Sequence, residues 1–138
     1  MYRAFRGIVA VLPILIVTAT PRLQAQGAAG HTHAGPHGGA VVEVAEHHVE
    51  FTADSAGKIA IWVLDEQMKP TAPPAGGTVT LMPEGAEQVS LPLKLDASSQ
   101  SLVARFDATK LHAFQAVVSL TIEGKRHNFR YHYPAAHH

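Results

Sequence analysis

From about residue 39 to residue 133 apolar and polar side chains alternate in short runs, and the runs are separated by turn residues. A period of two marks strands with one buried face. Strands are predicted over 39–44, 47–53, 58–65, 78–83, 87–95, 101–107, 115–123 and 126–133. In the second, Val49 and Phe51 share the face turned to the core, while His48, Glu50 and Thr52 share the other. The run 58–65 is apolar on both faces, which suits a central strand. Val89, Leu91, Leu93 and Leu95 in one later strand face inward, as do Ala116, Val118, Leu120 and Ile122 in another. Asp54-Ser55-Ala56-Gly57 reads as a turn, and Lys69-Pro70 opens a loop that runs to Gly77. Only Asp107 to Phe114 resembles a helical turn, with Asp107 as its cap. The pattern predicts an all-β fold, an immunoglobulin-like β-sandwich of about 7–8 short strands, with a small β-barrel as the alternative. Strand order cannot be read from the pattern.

Before the alternating region the chain changes character. Arg3 and Arg6 precede an apolar stretch from Gly7 to Ala19, and Pro21 to Ala25 follow. That is the layout of a secretory signal peptide, with cleavage expected after Ala25. The apolar run falls short of the roughly 20 residues a membrane span requires. The expected organisation is a signal peptide over 1–25, a flexible Gly/Ala/His arm over 26–36, a domain over 37–133 and a tail over 134–138. The mature protein is expected to be periplasmic, with no membrane span once the signal is removed.

The chain has no cysteine. Disulfides, Cys₄ zinc knuckles, iron–sulfur clusters and blue-copper sites are therefore excluded, since each needs thiolate. Eleven Lys and Arg balance eleven Asp and Glu. Loss of Arg3, Arg6 and Arg22 with the signal leaves a net charge of −3 with neutral histidines. Such a chain lacks the permanently basic surface of a nucleic-acid binder.

What the composition does offer is ten histidines. His31, His33 and His37 lie in or beside the arm, His47 and His48 head the second strand, and His137 and His138 end the chain. Neutral imidazole with a nearby carboxylate suits Cu²⁺, Zn²⁺, Ni²⁺ or Co²⁺. His48 and Glu50 are two apart on one strand, so both are expected to point outward to solvent together. His37 is the natural third ligand, and Gly38-Gly39 beside it permit unusual backbone angles. If Ala45-Glu46 is a two-residue turn, Glu43 pairs with His48 and a straight strand carries His37 roughly 20 Å away from it. Either the Gly-Gly step kinks, or His37 joins Glu50 and Asp54 at the far end. His31 and His33 can reach the site in either case. His47 is expected to pack at the strand's edge, and His112 and His127 to stand alone. His132 is a ligand only if the last strand neighbours the second. Trp62 is expected in the core.

The run Pro36-His37-Gly38-Gly39, then His48-Val49-Glu50-Phe51, Gly57-Lys58-Ile59 with Trp62-Val63-Leu64-Asp65, Gly77-Thr78-Val79-Thr80-Leu81 and Ala116-Val117-Val118-Ser119-Leu120-Thr121 resembles a small periplasmic domain of bacterial heavy-metal efflux systems. That domain occurs alone and beside the periplasmic adaptor subunits of resistance–nodulation–division exporters. The resemblance spans about residues 36–130. It implies metal binding or delivery in the periplasm, His37, His48 and Glu50 as ligands, and an adaptor subunit as partner. The chain departs from the adaptors in having no hairpin or lipoyl-like domain.

Catalysis finds little support. There is no Gly-x-Ser-x-Gly elbow, His-Glu-x-x-His helix or phosphate-binding glycine loop. The expectation is a non-enzymatic carrier of a divalent transition metal, linked to efflux or resistance. The alternative is a metal-independent exported β-domain that binds a protein partner through a sheet edge or the Pro73-Pro74 loop.

Overall fold

The computed structural model describes residues 33–134. The stretch expected to be a signal peptide, most of the expected arm including His31, and His137-His138 lie outside the described residues. Among the described residues there is no helix, and none long and apolar enough to cross a membrane. The strands are β1 (His33–Ala34), β2 (Ala40–Val44), β3 (His47–Ala53), β4 (Lys58–Leu64), β5 (Gly76–Pro83), β6 (Val89–Asp96), β7 (Ser101–Arg105), β8 (Phe114–Ile122) and β9 (Lys125–Tyr133). The all-β expectation holds, and each of the eight anticipated strands is present with no end moved by more than two residues. β1 is additional. His33 and Ala34 pair with Val41 and Ala40, so ordered pairing begins before the boundary expected at residue 37.

All nine strands join in one antiparallel sheet, in the order β1-β2-β3-β4-β7-β6-β5-β8-β9. Right-handed strand twist accumulates across a sheet of this width, so it curls. The curl carries β9 back over β2 and β3 without a hydrogen-bonded ladder between them. Tyr131 of β9 donates its hydroxyl to the Val49 carbonyl of β3 at 2.6 Å. The enclosed core holds Val49, Phe51, Ile59, Ile61, Val79, Leu81, Leu102, Val118, Leu120 and Phe129. These are inward residues of the period-two pattern. β4 lies between β3 and β7, as its two apolar faces require.

Of three local expectations, those for Leu95 and Trp62 are corrected and the turn capped by Asp107 holds. Leu95 sits on the inward parity but is 48% exposed, one residue before β6 ends at Asp96. Asp107 to Phe114 makes a single capped turn: Lys110 and Leu111 donate to the Asp107 carbonyl, and no further helical bond follows. Trp62 is not a core residue. It shares the outer face with Lys58 and Ala60, at the same parity along β4.

Candidate metal centre

The loop between β1 and β2 is a tight hairpin turn. Gly38 donates to the Gly35 carbonyl at 3.0 Å, and Gly35 to the Gly39 carbonyl at 2.8 Å. Pro36 takes the turn position for which its ring fixes φ, and Gly38 follows in the left-handed region at φ 80°. Gly39 runs so close to β3 that a Cβ there would strike the Phe51 carbonyl, and a Cβ on Gly35 would overlap the Glu50 carboxyl. The glycines around His37 thus serve close approach as well as turning.

This hairpin lies over the outer face of the sheet. Val41, Glu50 and Trp62 are cross-strand partners in one row across β2, β3 and β4, so their side chains share that face. Glu50 is wholly buried. Its Oε1 accepts the backbone N–H groups of His37 and Gly39, each at 2.9 Å, and its Oε2 lies 2.8 Å from His37 Nδ1. Three donors compensate the burial of a charge that is otherwise costly. The His37 ring stacks on Trp62 with centroids 3.9 Å apart and planes 9° from parallel. Trp62 in turn donates its indole N–H to the Ser99 carbonyl at 3.3 Å.

Of the two arrangements open from the sequence, the structure therefore has His37 joined to Glu50. Asp54 does not take part, since its Oδ1 accepts the N–H groups of Ala56 and Lys58 within its own turn. The expectation that His48 and Glu50 both face solvent is overturned. The outer face of β3 is solvated only where the hairpin does not cover it. His48 is half-buried, with Nε2 3.5 Å from Glu43 Oε2 and a buried Nδ1 that has no hydrogen-bond partner among the described residues. The Glu43–His48 register agrees with the two-residue turn at Ala45-Glu46. His33 stands on β1 opposite Val41, in the same cross-strand row as Glu50. His31 lies outside the described residues. His132 is exposed on β9 and, with Gly38 and Gly39, borders a small cavity of about 200 Å³. His47 packs its ring edge-on against His127, with centroids 4.9 Å apart, across the curl. Among the described residues, no group of three His, Asp or Glu side chains converges to hold a metal ion.

The chemistry of the His37–Glu50 pair follows from its donors. A carboxylate can only accept, so its contact with Nδ1 puts the ring proton there and leaves Nε2 as the basic nitrogen. With a third of the side chain exposed, the ring is reachable from solvent. A histidine held at one nitrogen by a carboxylate is the arrangement that orients metal-binding imidazoles elsewhere. In this arrangement Glu50 orients the ring and its oxygens are spent on hydrogen bonds. Trp62 is the site residue missed from the sequence. Its parity with Lys58 along β4 was the available signal that it faces outward. Comparisons with protein-family models, with curated proteins and with solved structures returned no match for this chain.

Proposed function

We propose that this protein captures a divalent transition metal, Cu²⁺ or Zn²⁺ before Ni²⁺ or Co²⁺, in the periplasm and hands it to a partner such as an efflux adaptor subunit. One observation carries the reading: buried Glu50 fixes His37 so that Nε2 is its available donor. The β1–β2 turn then contributes one imidazole oriented by a carboxylate, and His33 on β1 and His31 ahead of it supply further donors. Ligands on separate segments can be added or withdrawn one at a time, which suits transfer better than permanent retention. Glu50 acts on the metal through His37, and His48 belongs to a separate pair with Glu43. Export rests on the Arg-flanked apolar run at the N-terminus. Of the two closures considered for the sheet, the open barrel is favoured, because one strand order runs through every strand and Tyr131 spans the curl.

The second reading, a metal-independent interaction module, is favoured by one fact. Glu50 already has its acceptors met by the hairpin's own backbone donors.

Calorimetric titration with each metal separates the two. Trp62, the only tryptophan, supplies a second readout, because Cu²⁺ on His37 should quench its fluorescence. His37→Ala should weaken binding at least tenfold, and Glu50→Gln by about 10–100-fold, the usual cost of losing a residue that orients a ligand. His48→Ala and His112→Ala should each change it little. Affinity should fall as pH is lowered, because protons compete for the same nitrogens. The metal-free protein should stay folded. Unchanged affinity in His37→Ala would remove the metal reading and leave the interaction module.

A further inference from the structure

Farther along the same outer face lies a shallow groove of roughly 470 Å³ between β4, β6 and β7. Lys58, Lys94 and Arg105 surround it, and Pro92 and Val103 contribute apolar surface. These are three of the eight cations that follow residue 25 in a chain whose mature form is net negative. Lys58 and Arg105 are direct cross-strand partners, and Lys94 stands opposite Val103, beside Arg105 on the same face. Like charges placed opposite one another across a sheet repel and lower stability. Among the described residues none of the three makes an ion pair. The carboxylate bordering the groove is Asp96. Its Oδ1 accepts from the Ser98 hydroxyl at 2.6 Å and the Ser98 N–H at 3.0 Å, and these bonds hold its carboxyl below the ordinary range. Asp54, in the turn before Lys58, spends its Oδ1 on backbone donors as well. Asp96 therefore keeps its negative charge at the groove, where it is outnumbered by the three cations, none of which it pairs with among the described residues.

We propose that this groove binds a multiply charged phosphate group. The Arg105 guanidinium offers a planar fork for two phosphate oxygens, and the lysines add point charges that a single carboxylate could not match. A bound phosphate would relieve the Lys58–Arg105 repulsion. The same chemistry is carried by free oligophosphates and by phospholipid headgroups. The site is independent of metal binding at His37.

The test is a thermal melt of the purified protein in sodium tripolyphosphate against sodium chloride at equal ionic strength. EDTA is present in both arms, so that metal plays no part. Tripolyphosphate should raise Tm by several degrees. The double variant K58Q/R105Q should melt at or above wild type in chloride, lose that rise, and bind tripolyphosphate at least tenfold more weakly by calorimetry. The control K125Q/R126Q, which removes two cations from β9, should keep the rise. Co-sedimentation with phosphatidylglycerol vesicles assigns the source. Binding to vesicles that depends on Lys58 and Arg105 points to headgroups, and its absence beside a positive melt points to free phosphate. The proposal is overturned if wild type responds to neither probe, or if K58Q/R105Q responds as wild type does.

Discussion

At the scale of single residues, Glu50 decides most. It is a buried carboxylate whose acceptors are met by two backbone amides and one imidazole. Removing it orphans the two amides and leaves a void under Gly35. Glu50→Ala should therefore cost about 3 kcal/mol, the order expected for buried donors left unmet. Glu50→Gln keeps one oxygen for the amides and should cost less. His37→Ala should cost least, about 1 kcal/mol, because Glu50 keeps its backbone donors and water can enter. Urea denaturation of the three variants checks the order, and a Glu50→Ala protein no less stable than His37→Ala would contradict it. The contact between His37 and Glu50 was one of the two arrangements that the sequence left open. The role of Glu50 was not, because two-residue parity separates the faces of a strand without saying what covers the outer one.

Secondary elements show how much turn chemistry is local. Asp54 and Asp65 each cap a turn by accepting two backbone N–H groups, the first ending in Gly57 and the second in Met68, both with positive φ. Between β2 and β3 the two-residue turn places Ala45 at φ 48° and Glu46 at φ 69°. Both lie in the left-handed region, where a side chain costs roughly 1–2 kcal/mol. Two-residue hairpins with this backbone favour Asn-Gly. The double substitution A45N/E46G should therefore stabilise the protein by about 1 kcal/mol, the gain being reduced by glycine's extra freedom in the unfolded chain. A rise in Tm of about 4–8 °C is the expected signature for a domain of this size. A fall in Tm would mean that Ala45 or Glu46 makes a contact worth more than the strain. The position of this turn was readable from sequence, since Val44 and His47 bracket it with opposite strand parities.

Considered as a whole, the molecule depends on how the curl is held. β9 has no ladder to β3, yet Tyr131 joins the two through a buried hydroxyl. Burial, and secondarily the Glu50 carboxylate, push the Tyr131 phenol well above the usual tyrosine range. An acid whose folded value is raised gives stability that is fully present below its unfolded value, near 10, and is lost as pH rises beyond that. Equilibrium stability should thus decline steeply above about pH 10. Tyr131→Phe should be less stable at pH 7 by about 1 kcal/mol for the lost bond, but should show a shallower alkaline decline. Parallel alkaline slopes in the two proteins would remove Tyr131 as the cause.

The amino-acid sequence by itself determined eight of the nine described strands, most of their inward residues and the main turns. These follow from alternation and from turn-forming residues, which act over a few positions. It also determined that no thiolate is available to hold a metal, because the chain has no cysteine. Only the tertiary structure decided that the strands form one curled sheet, because strand order depends on closures over long stretches of chain. For the same reason it alone decided that a hairpin covers Glu50 and sets His37 on Trp62. It also decided that Lys58 meets Arg105 across β4 and β7. Each of these contacts joins residues whose adjacency depends on register between strands, and register is set by neighbours that the local pattern does not name.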